Sequence, residues 1–83
     1  MTKGEYRVGI DFNPSGDDTV GRIKRAAADL IDLVEKIPST HSDTMGQVTQ
    51  LPERARLKAL AQTEIESAAM WAVKAATKKA ADA

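Results

Sequence analysis

The sequence predicts an all-α protein, a helical hairpin of two long helices that follows an N-terminal arm and assembles into a homo-oligomer. Three observations support this fold class. Apolar residues recur every three or four positions in the first half of the chain, as they do on one face of a helix. Pro52, a residue type favoured at the first helical position, marks the start of a second long helix. The chain has only 83 residues and no cysteine, so partner chains are the natural way to stabilise so small a domain.

The N-terminal arm is predicted over residues 1–14. Polar and apolar residues alternate weakly from Tyr6 to Phe12, and Asn13 and Pro14 close the segment. Such alternation is typical of an extended chain, which could add a short strand but is too short to support a sheet alone. The arm could therefore be extended.

The first helix is predicted over residues 15–37. Ser15 and Asp18 have the spacing of a capping box at its start. Its apolar residues follow a heptad stripe made of Val20, Ile23, Ala27, Leu30, Val34 and Ile37. Pro38 ends the helix, because a proline pushes the residue before it out of helical geometry.

Residues 38–51 are predicted to form a polar connection, which is long for a helical hairpin. The second helix is predicted over residues 52–80. Between residues 65 and 76 its apolar side chains, Trp71 among them, surround much of the helix instead of forming one stripe. A helix that is apolar nearly all round is buried on more than one side, and a two-helix monomer can cover only one. This pattern predicts an obligate homo-oligomer.

Charge and hydropathy argue against two classes of partner, nucleic-acid polymers and membranes. The chain has 12 basic and 12 acidic residues, whereas proteins that bind DNA or RNA polymers generally carry a basic excess. No apolar run approaches the roughly 20 residues needed to cross a bilayer. The first residues also lack the apolar segment of a signal peptide. We therefore expect a soluble protein that stays in the cell and binds neither a nucleic-acid polymer nor a membrane.

The sequence offers little for catalysis. His41 is the only histidine, and it lies in the polar connection, where a lone histidine is usually solvated. It has no second imidazole and no thiol with which to bind a metal. Asp29, Asp32 and Glu35 alternate with the apolar stripe, as carboxylates on a solvated helix face do. We expect no enzyme activity, no metal and no cofactor.

Nine of the 12 basic residues form three groups. One group lies near the end of the second helix, where cations favour the helix dipole, and comprises Lys74, Lys78 and Lys79. The other two lie in the first turns of the helices, and comprise Arg22, Lys24 and Arg25, and Arg54, Arg56 and Lys58. Cations at a helix start oppose the dipole, so these two groups need another explanation.

Two explanations remain open for the cations at the helix starts. Neighbouring carboxylates offset part of their cost, namely those of Asp17, Asp18 and Glu53. Alternatively, these cations face a bound phosphate together with Ser15 and the backbone N–H groups of the helix starts. Tyr6 and Phe12 would then be placed to stack on a nucleobase. Phe12 could equally serve only to fasten the arm to the first helix.

Most of the chain outside the polar connection resembles a known family. The similarity covers four segments, which are Tyr6–Gly16, Val20–Leu33, Glu53–Thr63 and Glu66–Ala75. They resemble the anti-CBASS sponges, small phage and prophage proteins with a helical-hairpin domain. These sponges act against a bacterial immune system that signals with cyclic oligonucleotides.

The resemblance implies a homohexamer that sequesters cyclic dinucleotides, of the cyclic GMP–AMP type, in pockets between subunits without cleaving them. Some members also hold cyclic trinucleotides at a separate site, so cyclic triadenylate is a second expected ligand. In the family, an aromatic residue near the first helix stacks on the ligand and a lysine of that helix meets its phosphate. Lys24 matches the lysine. The aromatic residue is either Phe12, which fits by position, or Tyr6, which fits by residue type.

The residues expected to bind ligand are Phe12, Lys24, Tyr6, Asn13, Ser15, Arg22, Arg54 and Arg56. Of these, Arg54 and Arg56 are expected to form a second phosphate-binding site. The resemblance also implies a location in the cytoplasm of the infected or lysogenic bacterial host. The alternative function is a small helical protein–protein interaction module of phage or prophage origin, which would use the Ala, Met and Trp side chains of the second helix.

Overall fold

A computed structural model describes residues 1–81, so the last two residues of the predicted 1–83 domain lie outside it. The chain forms, in order, α1 (Lys3–Val8), α2 (Asp18–Glu35), β1 (Thr40–Ser42), β2 (Val48–Gln50) and α3 (Pro52–Thr77). The long helices α2 and α3 pack side by side as a hairpin, and α1 packs against both of them. The mostly helical fold and the hairpin are therefore confirmed.

The N-terminal arm is not extended but forms the helix α1 over Lys3–Val8. Thr2 caps α1 through a capping box, in which the Thr2 hydroxyl accepts from the Glu5 N–H at 3.1 Å. The Glu5 carboxylate in turn accepts from the Thr2 N–H at 2.8 Å. Gly9 ends the helix in the left-handed conformation, with φ of 65°, which glycine adopts without strain. This local capping outweighs the weak alternation that suggested an extended segment.

The predicted capping box of the second helix is wrong. Asp17 is the N-cap of α2, and its carboxylate accepts from the Thr19 N–H at 2.8 Å. The Ser15 hydroxyl instead stabilises the turn before the helix. It accepts from the Asp17 N–H at 3.1 Å and donates to Asn13 Oδ1 at 2.7 Å.

The long helices end earlier than predicted. α2 ends at Glu35 instead of residue 37, because the next two N–H groups bond to carbonyls three residues back and tighten the last turn. α3 begins at Pro52, as the sequence indicates, and ends at Thr77 instead of residue 80. Lys78 adopts an extended conformation there, with ψ of 123°.

The polar connection contains a structure that the sequence did not reveal, an antiparallel ribbon of β1 and β2. Thr40 pairs with Gln50, and Ser42 pairs with Val48. The Asp43 carboxylate closes the loop by accepting from the N–H groups of two loop residues, both at 2.9 Å. Every residue of the ribbon is exposed, so it adds nothing to the core.

The core of the helical hairpin is small. The buried apolar side chains of residues 1–81 are those of Val20, Ala28, Ile31 and Ala69. Of the predicted stripe only Val20 is buried, and its members Leu30 and Ile37 are 46% and 43% exposed. Ala28 and Ile31, on the neighbouring face of α2, are buried in their place.

A polar network supplements this core and joins all three helices. Gln62 of α3 is only 1% exposed, and its amide nitrogen donates to the Ile31 carbonyl at 3.3 Å. Its amide oxygen accepts from Lys3 Nζ at 3.0 Å. Lys3 also forms an ion pair with Glu35 at 3.1 Å, and Lys58 pairs with the same carboxylate at 3.2 Å. Lys3 and then Lys58 lower the pKa of Glu35.

The molecule is elongated and thin, measuring 65 × 23 × 13 Å. The six-residue α1 packs on both long helices and covers only part of their surface. Large apolar side chains of the long helices remain exposed, including Leu33 at 61% exposure and Trp71 at 68%. No helix within residues 1–81 has the length and apolarity required to cross a membrane.

Gly4 allows α1 to lie directly against α2. It is buried, and its N–H donates to the Asp32 carboxylate at 2.7 Å. A Cβ at this position would lie 2.1 Å from the Ala28 carbonyl oxygen. Only glycine fits there, because a Cβ would meet a carbonyl oxygen of the α2 backbone, which cannot move aside.

We expect Gly4→Ala to displace α1 and lower the free energy of unfolding by about 1–3 kcal/mol, the usual cost of overpacking. Urea denaturation at fixed protein concentration measures the change. Gly21→Ala near the start of α2 is the matched control, since a Cβ there meets nothing closer than 3.9 Å. That change should stabilise the protein by about 0.5–1 kcal/mol. Equal effects of the two substitutions would contradict the tight contact at Gly4.

The carboxylate of Glu5 should make the stability of α1 depend on pH. Its bond with the Thr2 N–H, and then its contact with Arg25, lower the pKa of Glu5 from 4.5 to about 2. The folded protein therefore binds fewer protons than the unfolded chain between these values, and stability falls as the pH falls from about 5 to 2. Glu5→Gln should flatten this dependence in denaturation measured across that range. A parallel decline of the variant and the wild type would refute the assignment.

Candidate ligand-binding site

Lys24 lies at the centre of the candidate site. It projects from α2, is only 8% exposed, and donates from Nζ to the carbonyl oxygens of Gly9, at 3.0 Å, and Phe12. Gly9 is the C-cap of α1, where the free carbonyls of a helix concentrate negative partial charge. The end of α1 and the loop after it therefore hold the ammonium in place.

The charge of Lys24 lacks a counter-ion within residues 1–81, since none of their carboxylates forms an ion pair with it. A buried charge is costly unless it is paired and hydrogen-bonded. An ammonium group carries three N–H donors, and the two carbonyls use two of them. The remaining donor and the uncompensated charge suit an anionic ligand.

Two adjoining cavities meet at Lys24. The first has a volume of about 220 Å³ and is lined by Arg7, Val8, Lys24, Glu66, Ala69, Met70 and Val73. The second has a volume of about 260 Å³ and is lined by Phe12, Asn13, Pro14, Ser15, Val20, Lys24, Val73 and Thr77. Lys24 and Val73 are common to both. A ligand that spans the two cavities would therefore contact Lys24.

Phe12 presents an exposed aromatic ring beside this ammonium. The side chain is 71% exposed, and the centre of its ring lies 5.4 Å from Lys24 Nζ. The Phe12 N–H donates to the Gly9 carbonyl at 2.9 Å, so the turn that carries the ring is fixed on both sides. A ring beside a cation can stack on a nucleobase whose phosphate meets the cation.

The comparison with known families agrees with this geometry. Residues 4–77 match the family model described as Acb2/Tad1, hairpin domain. The chain belongs to this family. Its members are the anti-CBASS sponges for cyclic oligonucleotides, so the resemblance found in the sequence is confirmed. No curated protein and no solved structure matches the chain.

Four of the residues expected to bind ligand in this member of the Acb2/Tad1 family lie together. Phe12, Asn13, Ser15 and Lys24 all line the second cavity. Asn13 is held by its amide nitrogen, which donates to the Asp17 carbonyl at 3.0 Å. The turn between α1 and α2 therefore brings an aromatic ring, an amide and a hydroxyl to the buried ammonium.

Tyr6 and Arg22 are placed elsewhere on the surface. Tyr6 is 78% exposed on α1, and Arg22 is exposed on α2. Neither is among the side chains of residues 1–81 that line the two cavities. Phe12 is therefore the aromatic residue that a single chain brings to Lys24.

Arg54 and Arg56 lie at the start of α3, at the other end of the hairpin from Lys24. Arg54 donates to the Pro38 carbonyl at 3.4 Å. Arg56 forms an ion pair with Glu53 at 2.5 Å and lowers the pKa of that carboxyl. A third cavity of about 210 Å³ lies near this end, and the described residues that line it do not include either arginine.

Sequence reasoning missed the part of the site that α1 and α3 contribute. Arg7 and Glu66 line the first cavity and form an ion pair at 2.7 Å. They are 59 residues apart, so no helical or strand spacing connects them. The spacing of Thr2 and Glu5, which fits a capping box, was the available signal that the arm is a helix. The described chain contains no cluster of histidine and carboxylate side chains that could hold a metal.

Proposed function

We propose that this chain captures cyclic dinucleotides of the cyclic GMP–AMP type and thereby blocks CBASS defence. The observation that carries the proposal is the buried ammonium of Lys24, which lacks a counter-ion within residues 1–81 and lies beside the exposed ring of Phe12. One phosphate of the ligand would meet Lys24, and the attached base would stack on Phe12. Such a protein acts in the bacterial cytoplasm, where its ligand is made.

The same features support a small ligand over a nucleic-acid polymer. The chain has no net charge, whereas polymer binding depends on neutralising many phosphates at once. The cavities at Lys24 contain two cations, Lys24 and Arg7. We propose cyclic triadenylate as a second ligand class, with Arg54 and Arg56 at a separate site.

We further propose that the ligand is held and not cleaved. Cleavage of a phosphodiester needs an activated nucleophile and a proton donor for the leaving oxygen. Within residues 1–81, the only carboxylate that lines the two cavities is that of Glu66, and it is paired with Arg7. His41, the only imidazole of the chain, lies in the β ribbon beyond the other end of α2.

The functional unit that we propose is a homo-oligomer, namely a hexamer. Domains are built from packed layers of secondary structure around one core, and the six-residue α1 is too short to cover the hairpin of α2 and α3. The exposed apolar side chains lie on α2, just after it and on α3, and include Leu30, Leu33, Ile37, Leu57, Leu60, Met70 and Trp71. A second copy packed on these faces would also cover the open cavities and exclude water from the ligand.

Loss of Lys24 or Phe12 should weaken binding of 3′,3′-cyclic GMP–AMP, measured by isothermal titration. Lys24→Met keeps the aliphatic stem but removes the charge that meets the phosphate, and should weaken binding by about 10- to 100-fold. Phe12→Ala removes the stacking surface and should cost about 1–3 kcal/mol. Ligand released from the wild-type complex by heat should be chemically unchanged on chromatography.

Two further variants serve as controls for this titration. Lys36→Met removes an exposed lysine that follows α2 and should leave the affinity unchanged. Tyr6→Ala should weaken binding less than Phe12→Ala, since Tyr6 lies outside both cavities. Absence of wild-type binding to cyclic di- and trinucleotides would reject the proposal and favour a protein–protein module. Recovery of cleaved ligand would make the protein an enzyme.

Trp71→Ala should weaken self-association, because a large aromatic side chain at the centre of an interface typically contributes about 2 kcal/mol or more. The wild type should sediment at six times the chain mass of 8.9 kDa, and the variant at a lower mass at the same concentration. Helical circular dichroism should be retained, since Trp71 is 68% exposed in the single chain. Glu64→Ala on the same helix is the control. A wild type that sediments as a monomer would exclude the assembly.

A further inference from the structure

The first cavity contains a second cation, Arg7, which projects from the last turn of α1. Its side chain is 22% exposed, and its Nε donates to Glu66 Oε1 of α3 at 2.7 Å. Lys24 lines the same cavity. Among residues 1–81, Glu66 is the only carboxylate that lines this cavity, so one acidic residue lies beside two basic ones.

The ion pair orients Arg7 without using up its donors. A guanidinium group carries five N–H donors in a rigid plane. Glu66 accepts from Nε, and Thr63 accepts from Nη2 over a long contact of 3.4 Å. Nη1 has no hydrogen-bond partner within residues 1–81. The edge of the guanidinium that best fits a phosphate is therefore available in a fixed plane.

We propose that Arg7 is a second phosphate-binding residue of the Lys24 site, and that Glu66 is a positioning residue that holds its guanidinium. The inference rests on the proposed capture of a cyclic dinucleotide. Such a ligand carries two phosphates, and each chain offers them only one free donor on Lys24. Arg7 provides the second cation in the cavity next to the one that Phe12 lines.

A purely structural role is the competing explanation, because the pair also ties α1 to α3. Two substitutions that break the same ion pair separate the two roles. If the pair serves only to hold α1, Arg7→Ala and Glu66→Gln should change ligand affinity in the same direction. If Arg7 binds phosphate, they should change it in opposite directions.

The experiment is isothermal titration of the full chain with 3′,3′-cyclic GMP–AMP. Arg7→Ala should weaken binding by about 10- to 100-fold, the expected loss of one hydrogen-bonded charge on a phosphate. Glu66→Gln keeps an oxygen that accepts from Nε but removes a negative charge near the ligand. It should strengthen binding by roughly two- to fivefold.

Arg25→Ala is the matched control. It removes the contacts of Arg25 with Glu5, at 2.8 Å, and with Asp29, and so loosens α1 from α2 through a residue that lines neither cavity. Its affinity should fall much less than that of Arg7→Ala. Binding of Arg7→Ala at wild-type affinity, or a loss in both Arg7→Ala and Glu66→Gln, would overturn this inference while the proposed function stands. A wild type that fails to bind would overturn both.

Discussion

The contact of the Lys24 ammonium with two backbone carbonyls organises the whole N-terminal half of the molecule. One carbonyl belongs to Gly9, the residue that ends α1, and the other belongs to Phe12 in the following turn. The charge is buried at 8% exposure, so these dipoles must replace much of its hydration. The position, the orientation and the charge of the candidate site therefore depend on the Lys24 side chain. This side chain holds the turn after α1 in place and is also the proposed contact with the ligand.

This arrangement explains why so short a helix as α1 is ordered. Six residues are too few for a stable helix in isolation, so α1 depends on tertiary contacts. Gly4 lets its backbone reach α2, Lys3 joins the network around Gln62, and Arg7 pairs with Glu66. α1 is thereby held at both ends, which places the cavity residues of three separate segments around one cation.

The family and the two long helices could be predicted from the sequence, because heptad spacing and Pro52 are local signals and the family segments are continuous. The short elements could not. Three-residue strands such as β1 contain no measurable period, and the carboxylate of Asp43 that closes the ribbon acts through backbone contacts. α1 did carry a local signal, the spacing of Thr2 and Glu5, but the weaker alternation after it suggested an extended arm.

The candidate site was only half predictable for a related reason. Lys24 and Phe12 lie 12 residues apart on segments that one turn brings together, so proximity followed from the chain order. Arg7 and Glu66 meet across 59 residues, and only the packing of α1 on α3 shows that they share a cavity with Lys24. A chain with zero net charge can thus gather two cations and one carboxylate at a single point. An anionic ligand responds to the local charge at its binding site, which the fold determines. The zero net charge of the chain argues only against binding to nucleic-acid polymers.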